Sequence, residues 1–309
     1  MRLALAFIFR IVVQLWEPQR LAVRLVKTQH AVAAYLVLAL MQLESSAQEA
    51  AGDLEARVAK ALAEKRYNEA VQLAAKVIAV EPERPEGYAL RATAYVAAGK
   101  SREAIGDLDR LLAMNPNQTR LLEVRGTERF KLRQFKEAIA DFDLECKLDP
   151  ARGPWHWKRG LAYYYAGQYD KGRDQFQAYH DREDNDVENA VWRVMCMARM
   201  KDVGLKKAQE EILVVRRDSR VPMMEAYALF AGKAKPADVL AAIKRGTPDD
   251  GELHRRMFYG NLYLGLYHDM VGGREQAVEH LKVAVKHPIE HFMWDIAKIH
   301  LGLLTDSKE

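Results

Sequence analysis

Pro82, Pro116 and Pro150 stand 34 residues apart, and other residues keep the same step. Ala70, Ala104, Ala138 and Gly172 form one column, Glu69, Glu103 and Glu137 another, and Ala92, Gly126 and Gly160 a third. Tyr67, Phe135 and Tyr169 make a fourth, with Ser101 as its exception. A fixed period of this length means one supersecondary unit stacked several times, each unit burying its apolar face on its neighbours. Each column has a physical reading. Small residues stand where two helices approach closely, aromatic residues fill the gaps between units, and proline stops a helix before the next begins. Composition agrees, because Ala, Leu, Glu, Lys and Arg dominate after residue 50 and favour helix over strand.

These columns resemble the tetratricopeptide repeat (TPR), in which two antiparallel helices alternate small and large residues. In the fourth unit Gly160, Tyr163, Gly167, Tyr169, Gly172 and Phe176 sit at the offsets of that pattern. The resemblance implies an all-α fold, a TPR-type α-solenoid of antiparallel helix pairs. Four units cover residues 51–184. The register weakens over 187–246, where residues 187–200 and 204–216 read as a helix pair. "PMMEAYALFAG" and "PADVLAAIKRG" then read as short helices opened by Pro and closed by Gly. A clear unit returns over 252–304, and "IEHFMWDIAKIHLGLL" reads as an amphipathic helix capping the open end of the stack. "GTPDDG" (246–251) is the best internal break.

Charge excludes one class of function. Lys plus Arg number 47 and Asp plus Glu 43, and beyond residue 47 the balance is 42 against 41. No concentrated basic face of the kind nucleic acid needs is present. One charged column does repeat: Arg57, Arg91, Arg125, Arg159 and Arg193 lie on successive first helices. The second helices supply Asp107, Asp109, Asp141 and Asp143, which are expected to pair with those arginines as a structural ladder. In "QFKEAIADFDLECKLDP" that reading turns Asp141 and Asp143 from candidate catalysts into partners of the arginine column, and leaves Glu145, where the pattern prefers a small residue, without an explanation. Cys146 has no His at helical spacing and reads as a small filler, as does Cys196. Six of nine histidines lie between His254 and His300, but "HPIEH" lacks the order of a zinc-binding helix. A metal-dependent enzyme using His287 and His291 is the remote alternative; no catalytic residue, metal or cofactor is expected.

In a TPR stack the first helices line the concave face. By offset, the expected partner-binding stripe is Glu123, Thr127 and Phe130, then Trp157, Leu161 and Tyr164, bordered by Lys131, Lys158 and Tyr165. Trp157, Leu161 and Tyr164 share one helix face. An aromatic patch rimmed by basic groups suits an extended or helical peptide of some acidic character. The alternative is that these aromatics pack against the following helix pair. The element order beyond residue 185 resembles the NlpI-type TPR proteins of bacterial envelopes. That resemblance implies a periplasmic homodimer acting as an adaptor for protein partners. The lipobox cysteine of that family has no counterpart, since no Cys precedes Cys146.

The N-terminal residues 1–47 read as a signal peptide or anchor, membrane contact being confined to this segment. "AVAAYLVLALMQL" (31–43) suits a signal h-region, "SSA" offers a cleavage site after Ala47, and translation is expected to begin near Val26. An uncleaved segment would make the chain a membrane-anchored assembly factor.

Overall fold

The computed structural model describes residues 41–42 and 48–306. The signal, cleavage-site and start-codon expectations fall outside those residues, apart from Met41 and Gln42. Every regular element among the described residues is helical. None of these helices is long and apolar enough to cross a membrane.

The chain divides into two compact units, one ending at Ala94 and the other beginning at Tyr95. The first contains α1 (residues 48–63) and α2 (Tyr67–Val80), followed by most of α3 (Pro85–Ala97). Val58, Ala61, Ala70, Leu73, Ala74 and Ala94 form its core.

The second unit carries α4 (Ser101–Met114), α5 (Thr119–Lys131), α6 (Phe135–Leu148), a 3-10 turn (Pro150–Trp155), α7 (Trp157–Tyr165) and α8 (Tyr169–His180). Then come α9 (Val187–Arg199), α10 (Gly204–Glu210), α11 (Met223–Phe230), α12 (Pro236–Ile243), α13 (Asp250–Met270), α14 (Arg274–Val285) and α15 (Met293–Asp306). Its core runs continuously from Phe130 to Ile299, with Trp192, Phe176 and Phe258 among its largest buried side chains.

The small-residue columns do what their spacing implies. A Cβ at Gly126 would lie 2.5 Å from Cε1 of Phe142, and one at Gly160 would lie 2.8 Å from Cζ of Phe176. Gly265 stands in the same relation to Leu281, at 2.6 Å. In these three pairs one helix presses a large side chain onto the backbone of its mate, and a methyl group there would force that side chain to shift.

One expectation needs correcting. Residues 204–216 are not one helix: α10 ends at Glu210 and residues 212–219 run without regular structure. The reason lies in "ILVV", whose β-branched residues favour an extended chain. Leu213 and Val215 are buried while Val214 between them is 61% exposed, the alternation of a strand. The last helix also does more than close an end of the stack. It returns to the central repeats, where Nη1 of Arg133, in the turn between α5 and α6, donates to Oδ2 of Asp306 at 2.5 Å and the hydroxyl of Tyr165, on α7, meets Nδ1 of His300 at 3.0 Å.

Candidate partner-binding groove

The face shared by α5 and α7 is built from their i, i+4 repeat. Thr127 and Lys158 lie on it, and Nζ of Lys158 donates to Oγ1 of Thr127 at 3.3 Å and to Oε1 of Glu123 at 3.2 Å. Arg152, from the 3-10 turn, donates to the other oxygen of Glu123 at 2.9 Å. Burial alone would raise the pKa of Glu123, but Lys158 and Arg152 outweigh it and hold the carboxyl below its usual range. Lys131 reaches the buried Glu128 at 2.7 Å, and Ser101 donates to the same carboxylate at 2.6 Å. Glu123, Thr127, Lys131, Trp157, Lys158 and Tyr165 are all half-buried.

The other three residues of the expected stripe are not at the surface. Phe130 and Leu161 are fully buried and Tyr164 nearly so. Tyr164 turns edge-on to Trp192 of α9 at 5.3 Å, so here the following helix pair takes the aromatic. Its burial pushes the Tyr164 hydroxyl far above the ordinary tyrosine range. Phe130 meets Phe135 at 5.1 Å and Tyr165 at 5.7 Å, and Tyr165 stacks on Phe135 at 5.3 Å. This face keeps Trp157, Tyr165 and polar side chains half-buried, with Phe130 and Tyr164 behind them.

The arginine column behaves unevenly along the chain. Arg125 donates to both oxygens of Asp141, at 2.6 and 3.1 Å, and to Asp109 at 2.7 Å. Arg129, outside the column, adds a bond to Asp141 at 2.9 Å. Arg159 approaches Asp143 only at 3.4 Å and gives its strong bonds to Gln175, at 2.8 and 2.5 Å. Gln175 lies 34 residues after Asp141 and takes its place. Asp143 accepts from the Tyr163 hydroxyl at 2.6 Å instead. Arg57 has an exposed contact with Asp53 at 3.6 Å, Arg91 lies over Tyr88 at 6.0 Å, and Arg193 donates to the carbonyl of Glu211 at 2.8 Å. Asp107 is buried within α4.

One buried pair escaped the sequence reading. Oε2 of Glu145 lies 2.9 Å from Nε2 of His156, both residues being inside the protein, and Nε of Arg152 lies 3.1 Å from Oε1. One repeat earlier the same columns hold Leu111 and Leu122, both buried. An apolar pair has thus become a polar one, and the coordinated change in two columns was the available signal. Nδ1 of His156 accepts from the backbone N–H of Arg159 at 3.2 Å, so Nε2 carries the proton and donates to Glu145. Both ring nitrogens are engaged within the protein, which leaves no base for a substrate.

The other chemical candidates disperse. His287 contacts Nδ1 of His254 at 3.3 Å, while His291 stacks on Trp157 at 5.9 Å, so the two histidines of "HPIEH" serve different neighbours. Cys146 and Cys196 are free and buried, and burial pushes both thiols upward.

Residues 61–126 match the family model described as "Tetratricopeptide repeat". No curated protein sequence matches the chain. The structure is similar to that of a tetratricopeptide repeat protein from Parabacteroides merdae, at 17% identity and a TM-score of 0.53. The likeness covers 82% of this chain and 98% of that one, and it concerns the fold alone. MamA from Desulfovibrio magneticus (22% identity, 52% and 89% of the two chains) and PilF from Pseudomonas aeruginosa (12%, 82% and 99%) score 0.47 and 0.43. Residues 61–126 are tetratricopeptide repeat, and the fold of the chain is the TPR-type α-solenoid.

Proposed function

We propose that this chain is an exported, non-catalytic adaptor that binds protein partners through the α5–α7 face. The observation that carries the reading is the half-buried row of Glu123, Thr127, Lys131, Trp157 and Lys158. It sets an indole beside the Lys158 ammonium, 5.8 Å from the ring centre, and is bordered by cavities of about 710, 160 and 250 Å3. A Trp anchor with a polar rim is the composition of an interface hot spot. The non-catalytic reading is supported by the engaged state of Asp141, which lies between arginines, and of Glu145, on His156, and by the burial of both thiols.

The test is affinity capture from envelope extracts with wild type, Trp157→Ala and Lys158→Glu. Loss of the same partners from both variants supports the groove; unchanged partner sets contradict it. Export is tested separately by sequencing the mature N-terminus, expected at Gln48; a start upstream of Ala47 favours the anchored form.

A further inference from the structure

The aromatic part of this face already has an occupant, and it comes from the same chain. Between α14 and α15 the backbone is non-helical over residues 286–292. The ring of Phe292 meets Phe130 at 5.4 Å and Trp157 at 5.7 Å, both edge-on, with Nζ of Lys158 5.6 Å from its centre. His291 lies parallel to Trp157, at 5.9 Å and 11°. Aromatic edges around a ring and a cation above it are how a groove holds an aromatic side chain of a ligand.

Two observations separate this stretch from the helix it leads into. Met293, Ile296, Ala297 and Ile299 are buried core, whereas His291 is exposed and Ile289 and Phe292 are only half-buried. The stretch also interrupts open space. His291 walls both the 710 Å3 cavity, which reaches Ser101, Lys131 and Arg133, and the 160 Å3 cavity beside Leu161 and Trp192. Lifting residues 289–292 joins the two across the face of Trp157, while α15 stays anchored by its core residues and by the pair between Arg133 and Asp306. Arg133 sits at φ +60°, where the matching turns of neighbouring repeats have Gly99 and Gly167, so that anchor is made at some backbone strain.

We propose that residues 289–292 are an internal ligand of the groove. The external partner is then an extended peptide whose aromatic side chain replaces Phe292 between Phe130 and Trp157, beneath Lys158. The proposal rests on the adaptor reading of this face and adds how binding is held in check. Strap and partner compete, so apparent affinity falls by the fraction of chains whose groove is open. A strap seated in nine chains of ten weakens binding about tenfold.

The experiment uses the full chain and a fluorescent peptide copying residues 286–295, KHPIEHFMWD, read by anisotropy. Phe292→Ala is expected to bind it at least about tenfold more tightly than wild type. A Trp157→Ala change in that background returns binding to the wild-type level or below, and a peptide with Ala in place of its Phe binds none of the proteins. His291→Ala, at an exposed position, is the second opening variant and is read alone if Phe292→Ala loses its helical circular dichroism. Equal peptide affinity for wild type and the folded opening variants overturns the proposal, whatever partners are captured. Failure of the adaptor reading appears elsewhere, as wild-type protein that retains no partner from extracts.

Discussion

Asp141 is the residue whose removal the packing penalises most clearly. Its carboxylate is 3% exposed and accepts three bonds, two from Arg125 and one from Arg129. Truncation to Ala removes the buried counter-charge of two guanidinium groups, 16% and 19% exposed, and leaves them only the exposed Asp109, at 2.7 and 3.5 Å. Breaking a buried ion pair from one side costs about 3–5 kcal/mol. Arg125 retains Asp109 at 2.7 Å and both arginines keep some contact with water, so the lower end applies, about 3 kcal/mol. Asp141→Asn preserves the shape and an acceptor and is expected to cost about half as much, near the value of a charged hydrogen bond, about 1.5 kcal/mol. Asp109→Ala is the control. That side chain is 50% exposed, and an exposed pair contributes at most about 1 kcal/mol. Urea unfolding followed by far-ultraviolet circular dichroism reads all three, a change of about 3 kcal/mol moving the midpoint by about 1 M or more. Equal shifts for Asp141→Ala and Asp109→Ala, or a shift below about 1 kcal/mol for Asp141→Ala, refute the argument that burial makes this contact costly to break.

Other consequences are equally concrete. Gly126→Ala drives a methyl into Phe142 and is expected to destabilise by about 1–3 kcal/mol. Gly106→Ala on the exposed side of α4 meets nothing within 4 Å and should stabilise by about 0.5–1 kcal/mol, so thermal melts must move in opposite directions. Native protein should leave both cysteines unmodified by a thiol reagent over minutes and yield two thiols in urea; rapid native labelling of Cys146 contradicts its burial. The pKa of Glu123 is lowered on folding, so its contribution is present above the ordinary carboxylate range and lost as pH falls through the depressed value. Glu123→Gln should therefore lose less stability than wild type on acidification, and parallel acid limbs would show that Lys158 and Arg152 do not hold that carboxylate.

The repeat was legible because helix pairing imposes one spacing on every unit, and a 34-residue column survives single substitutions. Gly126, Gly160 and Pro150 announced their roles by position alone. Residues 212–216 were misread because the repeat spacing was extended past the point where "ILVV" favours an extended chain. The buried Tyr164 could not be told from an exposed one, because a first helix faces both the groove and the next pair, and only α9 and Trp192 decide between them. The Arg159–Gln175 and Glu145–His156 contacts lay in the columns unread, since each becomes visible only when two positions are compared with the repeat before. The seating of Phe292 on Phe130 joins residues from distant repeats, and no local pattern carries it.

The central claim, that partners dock on the α5–α7 face, is tested most directly by site-specific photo-crosslinking in living cells. A photoreactive phenylalanine analogue replaces Thr127 on the groove, and in a second protein Lys136 on the exposed side of α6. The groove position is predicted to give discrete crosslinked protein species that Trp157→Ala abolishes, and position 136 to give none. Crosslinks of equal yield from both positions, or from position 136 alone, contradict the assignment.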